Sequence, residues 1–78
     1  MKHLPLPDEV RFLDVAGSEY YICWEDVTVG ASFFLPTTAT PKQVLHSARF
    51  AAKHFDIILD ARPRVERGLY GIRVWRTA

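Results

Sequence analysis

Four basic side chains recur along residues 41–55, whose sequence is PKQVLHSARFAAKHF. Spacings of four, three and four residues would stack them along one face of an α-helix. They are Lys42, His46, Arg49 and Lys53. Cations in a row on a helix suit tracking a phosphate backbone or entering a major groove. The alternative, an ordinary solvated helix face, stays open at the level of sequence.

A second basic group is expected on a β-sheet near the end of the chain. Residues 56–65 (DIILDARPRV) and 69–76 (LYGIRVWR) alternate in polarity, so pairing their apolar sides leaves a basic side outside. This outer set consists of Arg62, Arg64, Arg73 and Trp75. Arginines around an exposed aromatic ring suit stacking against unpaired bases. The alternative is that the N-terminal segment covers the ring and the arginine stems.

A capping signal indicates where the helix begins. Thr40 can act as the N-cap, Pro41 suits the first helical position, and Gln43 completes a T-x-x-Q capping box. An apolar stripe opposes the basic one. It consists of Val44, Leu45, Ala48, Ala51, Ala52 and Phe55. The pattern predicts one helix over residues 41–55 with this stripe against a sheet.

Aromatic and β-branched runs predict two strands before the helix and two after it. The first two are residues 18–24 (SEYYICW) and 31–36 (ASFFLP). The last two are the alternating stretches described above, which turn at ERG and form a hairpin. The predicted fold class is α+β: a single helix packed on a small antiparallel sheet, in the order β-β-α-β-β with a β-α-β-β core.

Size and composition limit the class of protein. A chain of 78 residues that is 49% hydrophobic makes one domain, with residues 1–17 as a lead-in segment and 18–78 as the compact core. A lone cysteine, Cys23, excludes an intrachain disulfide and fits a reducing cytoplasm. No apolar run approaches the ~20 residues that a membrane span needs. The N-terminus lacks the apolar core of a signal peptide, so a cytoplasmic location is expected.

The net charge of +1 is unevenly distributed. Residues 1–40 hold two basic and six acidic side chains, a net of −4, whereas residues 41–78 hold eight basic and three acidic ones, a net of +5. Such asymmetry indicates a charged partner for one half, or neutralisation of the halves inside the fold or across a homodimer. A domain this small has a low free energy of unfolding, which self-association would increase.

Residue types for metal binding or catalysis are sparse. His46 and His54 are eight positions apart, about 12 Å of helical rise, and no cysteine or histidine pair has zinc-binding spacing. Cys23 is expected to be a small buried residue rather than a nucleophile. Nucleophile elbows, phosphate-binding glycine loops and paired carboxylates are absent from the sequence. We therefore expect no metal, no cofactor and no enzymatic activity.

Two motifs, V-G-A-S-F-F-L-P at 29–36 and G-I-R-V-W-R at 71–76, flank a helix that bears S-A-R-F-A-A-K. These segments resemble a group of small phage and prophage proteins, which have a V-G-x-S-F-F-V-P opening, an Ala- and Arg-bearing helix and a G-V-R-V-W-R ending. The resemblance covers Val29 to Arg76 and implies a β-α-β-β core and a phage setting, hence the cytoplasm of a host cell. The group usually has a Thr-Arg pair where this chain has I-L-D-A-R, and residues 1–28 are an additional segment.

Together these observations favour a non-enzymatic phage-type binding protein. The leading interpretation is a nucleic-acid-binding accessory or regulatory protein that uses the basic helix face or the Arg/Trp sheet face. The alternative is a phage-encoded inhibitor of a host nucleic-acid-processing complex, an anti-CRISPR or other host-takeover factor. It arises because the chain has more aromatics than a small core hides, and Trp, Tyr and Arg dominate protein interfaces. Salt dependence separates the two, since phosphate contacts weaken steeply with added salt.

Overall fold

The computed structural model describes residues 11–78. In chain order its elements are β1 (Phe12–Val15), β2 (Ser18–Tyr21), β3 (Ser32–Pro36), α1 (Pro41–Ser47), α2 (Arg49–Phe55), β4 (Leu59–Glu66) and β5 (Leu69–Arg76). A short 3-10 turn, Trp24–Asp26, follows β2. The fold is therefore α+β, with two helices and two antiparallel sheets. No helix within residues 11–78 has the length and apolarity to cross a membrane.

The main sheet has three antiparallel strands in the order β3-β5-β4. A hairpin joins β4 to β5, as the sequence predicted, with Glu66 paired to Leu69. The two residues between them, Arg67 and Gly68, have φ of 53° and 77°, which a tight two-residue hairpin turn requires. This turn fixes the register of the β4–β5 pairs.

A separate two-stranded sheet precedes the main one and differs from the prediction. β1 pairs with β2 across Ala16 and Gly17, both at positive φ, so residues 12–17 are folded rather than part of a lead-in. The strand predicted over residues 18–24 ends at Tyr21. The observed order is β-β-β-α-α-β-β instead of β-β-α-β-β. Residues 1–10 of the predicted lead-in lie outside the described residues.

The β1–β2 hairpin is anchored to the rest of the fold. Its inward side chains Leu13 and Val15 are buried in the common core. The Ser47 hydroxyl donates a hydrogen bond to the Asp14 carbonyl at 2.9 Å, and the Tyr20 hydroxyl donates to the Pro36 carbonyl. The two sheets therefore share one core, with α1 packed against both β1 and β4.

The capping box forms as predicted. The Gln43 N–H donates to Thr40 Oγ1 at 3.2 Å, and the Thr40 N–H donates to Gln43 Oε1 at 2.8 Å. The predicted single helix is nevertheless wrong, because the chain divides into two helices at Ala48, which ends α1 and precedes α2 with φ of −86° and ψ of 0°. Hydrogen bonds from Ala48 N–H to Val44 and from Ala52 N–H to Ala48 continue the helical pattern across this break. The two helices thus keep one core-facing side.

The core lies between the helices, the inner face of the main sheet and β1. The predicted helical stripe lines it, with Val44, Ala48 and Ala51 buried and the other three members half-buried. The sheet contributes Leu35, Ala61, Ile72 and Val74, all buried. Because successive side chains of a strand point to opposite faces, the residues between these lie on the outer face.

The edge of the sheet formed by β4 has few free donors. Pro63, in the middle of the strand, carries no N–H. The Ala61 N–H is taken by the Asp60 side chain, whose Oδ1 accepts it at 3.0 Å. Ala61 and Pro63 are two positions apart, so their backbone groups point to the same side of the strand.

Candidate nucleic-acid interface

The outer face of the main sheet brings together the sequence-predicted residues of β4 and β5. Strand register places Arg62 opposite Arg73, Arg64 opposite Gly71, and Asp60 opposite Trp75. Directly opposed residues share a face, and Ala61, Ile72 and Val74 between them are buried on the inner side. These side chains therefore project from the face that the helices leave uncovered.

Trp75 is half-buried and forms part of a shallow groove of about 510 Å³. The guanidinium of Arg64 lies over its ring, 5.1 Å from the centroid. The side chain of Arg62 is 68% exposed, and its Nε lies 3.3 Å from Asp60 Oδ2 in an open ion pair. We call this site the Trp75 groove. Its lining residues are Val29, Gly30, Asp60, Arg62, Arg64, Trp75, Arg76 and Thr77.

Hydrogen bonds hold the loop wall of the Trp75 groove against β5. The Gly30 N–H donates to the Arg76 carbonyl at 2.8 Å, and the Arg76 N–H donates to the Ala31 carbonyl at 3.0 Å. The guanidinium of Arg76 donates through Nη1 to the Val27 carbonyl at 3.1 Å. This wall is thus preformed, exposes the apolar Val29 side chain, and uses Arg76 as a structural donor.

Arg73, also predicted for this face, is engaged in hydrogen bonds within the fold. Its Nε and Nη2 donate to the two oxygens of Glu66, both at 2.6 Å, and its Nη1 donates to Ser32 Oγ at 2.8 Å. The pair lowers the pKa of Glu66 through the hydrogen bonds from Arg73 and raises that of Arg73. A bidentate carboxylate partner neutralises this guanidinium. The accessible cations of the groove are therefore Arg62 and Arg64.

An aromatic ring lies on the outer face beside Arg73. The Phe34 ring centroid is 5.9 Å from the Arg73 guanidinium. The ring also lies against Gly71, where an added Cβ would come within 2.5 Å of Phe34 Cζ. Gly71 thus makes the space in which Phe34 packs, and this end of the outer face is filled rather than open.

On the helices, Lys42, His46, Arg49 and Lys53 are all exposed. Arg49 is partly engaged, because its Nη1 donates to the His46 carbonyl at 2.6 Å and its guanidinium lies 4.3 Å from the Phe50 ring centroid. Asp14 of β1 shares two shallow grooves with His46 and Ser47. A carboxylate therefore stands beside the basic stripe, which is not a uniformly positive surface.

Cys23 is exposed, which corrects the expectation that it is buried. A hydrogen bond to Asp26 and partial desolvation raise the pKa of its thiol. Because neighbouring carboxylates favour the protonated form, this thiol is a weak nucleophile. Within residues 11–78, no three His, Cys, Asp or Glu side chains gather closely enough to hold a metal ion.

Asp60 and the loop residues Val29 and Gly30 line the Trp75 groove but are not among the site residues predicted from the sequence. The sequence could have indicated Asp60, because a two-residue turn at Arg67–Gly68 places residue 60 opposite residue 75. A three-residue turn at ERG gives a different register and does not pair these two residues. The loop carries no comparable signal, since its position depends on long-range hydrogen bonds to β5.

Comparisons of the chain with protein-family models, with curated proteins and with solved structures gave no match.

Proposed function

We propose that this chain is a small, non-enzymatic nucleic-acid-binding protein that binds through the Trp75 groove. The observation that supports this best is the juxtaposition of two exposed guanidinium groups, Arg62 and Arg64, with the ring of Trp75. Guanidinium groups neutralise phosphates, and aromatic rings stack against bases. The resemblance to phage proteins suggests an accessory or regulatory role in the cytoplasm of an infected cell.

The helix face supports the proposal less strongly than the sheet face. Arg49 is engaged with the backbone and with Phe50, and Asp14 would repel phosphates that approach His46. No described side chain forms an ion pair with Lys42 or Lys53. These two lysines suit secondary phosphate contacts.

The test is a fluorescence titration with short labelled single strands and duplexes, at salt concentrations from about 50 to 200 mM. We expect log affinity to fall linearly with log salt. Arg62→Gln and Arg64→Gln should each flatten the slope by about 0.7–0.9, the value for one lost phosphate contact. Arg67→Gln is the matched control, because Arg67 lies at the hairpin turn outside the groove. Absence of micromolar binding at low salt would refute the proposal.

A second candidate is inhibition of a host nucleic-acid-processing complex by protein–protein binding. Exposed rings near β1 favour it: Tyr21 is 57% and Phe50 49% exposed. Phe12 packs edge-to-face on Tyr21 at 5.2 Å and shares a shallow groove with Phe50 and Arg49. Aromatic rings beside an arginine are typical of interface hot spots.

A pull-down from host lysate, with and without nuclease, separates the two candidates. A protein partner that survives nuclease but is lost with Phe50→Ala would support the inhibitor. Loss of every bound species on nuclease treatment would support nucleic-acid binding.

A further inference from the structure

We infer that the Trp75 groove binds one unpaired base of a single strand, and that Asp60 makes guanine the preferred base. The inference rests on the proposed function of the same site and specifies its ligand. It comes from the placement of a carboxylate, a ring and two guanidinium groups around one groove.

The shape of the site favours a single strand over a duplex. Trp75 is half-buried in a groove bounded by the Val29–Gly30 loop, so its ring is reached only by a group that enters the groove. In a duplex, the bases are already stacked on their neighbours. A protein therefore meets only the edges of the bases and the phosphates of the backbone. An unpaired base can turn out and place its face on an aromatic ring, as proteins that read single strands require.

Asp60 stands where the edge of a stacked base would lie. It is directly opposite Trp75 on the neighbouring strand, which places the two Cβ atoms about 4.5–5.5 Å apart. Its Oδ1 accepts from the Ala61 N–H and its Oδ2 accepts from Arg62 Nε, at 3.0 and 3.3 Å. These bonds orient the carboxylate and leave each oxygen with capacity for another donor, since a carboxylate has about four acceptor sites.

A fixed carboxylate discriminates among bases by their donors. Guanine presents two adjacent donors, the ring N–H and the exocyclic amino group, which match the two oxygens of Asp60 in a bidentate pair. Adenine and cytosine present an amino group beside an acceptor, so they offer one such bond. Thymine and uracil present a single N–H between two carbonyl oxygens, which a carboxylate repels. Hydrogen bonds to a charged acceptor are stronger than neutral ones, so guanine gains most.

The two guanidinium groups complete the site. Arg64 covers the ring in the free protein, and an entering base displaces it. Its planar group is then free to stack on the outer face of the base or to contact a flanking phosphate. Arg62, held beside Asp60, supplies charge for the neighbouring phosphate.

The experiment compares thymine-only single strands with strands in which one central thymine is replaced by guanine, cytosine or adenine. DNA and RNA versions and a matched duplex are titrated with the wild-type protein. We expect the guanine strand to bind at least about fivefold more tightly than the thymine strand, the lower range for one bidentate contact. Either DNA or RNA satisfies the inference. Equal affinity for the duplex or for all four bases would overturn it.

One variant of Asp60 and one matched control variant make the test specific. Asp60→Asn should abolish the guanine preference, because the amide keeps only one acceptor oxygen. It should also bind the thymine strand as tightly as or more tightly than wild type, because a negative charge is removed. A folding defect would not produce these opposite changes. Asp56→Asn removes the same charge at an exposed left-handed position that asparagine accepts, and it should leave base preference unchanged.

Trp75 variants separate failure of the inference from failure of the proposed function. Trp75→Phe should retain most of the affinity and Trp75→Ala should lose it for single strands. If Trp75→Ala binds normally and the binding is still salt-dependent, the protein binds nucleic acid but not in this groove. If wild type binds neither strands nor duplex at low salt, the proposed function itself fails.

Discussion

At the scale of single residues, Glu25 shows how one ion pair ties two segments together. Arg11 donates to both of its oxygens, at 2.7 and 3.2 Å, and so connects the start of β1 to the turn Trp24–Asp26. The hydrogen bonds from Arg11 are the main cause that lowers the pKa of Glu25 to about 2. Arg73 lowers the pKa of Glu66 in the same way on the outer sheet face.

The lowered pKa of Glu25 predicts acid sensitivity. In the unfolded chain this carboxyl has its ordinary pKa near 4.5, so the folded state binds its proton less readily. The stability it contributes is present above about pH 4.5 and is lost as the pH falls towards about 2. Urea unfolding at about pH 6 and about pH 3 should show a smaller loss of stability for Glu25→Gln than for wild type. An equal loss in both proteins would show that the pair does not persist in solution.

The structure corrects two expectations about single residues, because both depend on tertiary contacts that sequence spacing does not reveal. Arg73 was expected to be available, but its partner Glu66 lies seven positions away and meets it only across the hairpin. Cys23 was expected inside because cysteine is usually buried, yet it sits between β2 and the 3-10 turn, where its side chain meets solvent and acidic neighbours. Both outcomes depend on tertiary position.

At the scale of elements, the sequence predicts features that depend on neighbouring residues, but not features that depend on tertiary contacts. The start of α1 was predictable because the capping box involves only Thr40 and Gln43. The break at Ala48 was not, since alanine gives no breaking signal there. β1 was missed because it has only four residues, and because its turn places a non-glycine residue, Ala16, at positive φ. Tertiary burial of Leu13 and Val15 supports that strand.

The junction of α1 and α2 gives a packing prediction. Ala48 is completely buried, so Ala48→Leu adds three carbons where no space exists. We expect a loss of roughly 1–3 kcal/mol of unfolding free energy, measured by urea denaturation. Ala52→Leu is the control, because Ala52 is only half-buried and a larger side chain there can extend outward. Equal stability of Ala48→Leu and wild type would place the helices in a different rotation.

At the scale of the whole molecule, the charge asymmetry of the sequence is partly resolved by the fold. Asp14 and Glu19 are neighbours across the β1–β2 ladder, and Asp14 lies beside the basic helix stripe. That side of the molecule therefore partly neutralises itself. Among residues 11–78, the acids on the outer sheet face are Asp60 and Glu66, and Glu66 is occupied by Arg73.

This arrangement predicts which basic face governs binding. The triple change Lys42→Gln, Arg49→Gln and Lys53→Gln should weaken binding of single strands only slightly, because the two lysines make only secondary phosphate contacts. Stability should change by no more than tenths of a kcal/mol per charge, since these groups are exposed. The double change Arg62→Gln and Arg64→Gln should weaken binding strongly. Salt titrations of both variants provide the comparison, and the reverse result would assign binding to the helix face.

The proline in β4 has a consequence for the behaviour of the protein at high concentration. Within the described residues β4 is an edge strand, the kind of site where a second molecule could add a strand and start aggregation. Pro63 has no N–H and Asp60 occupies the N–H of Ala61, so an incoming strand finds no free donor at two successive positions on that side. Pro63→Val restores a donor and adds a β-branched side chain. We expect this variant to fold but to form fibrillar or high-mass species, detected by light scattering, at concentrations where the wild type stays monodisperse.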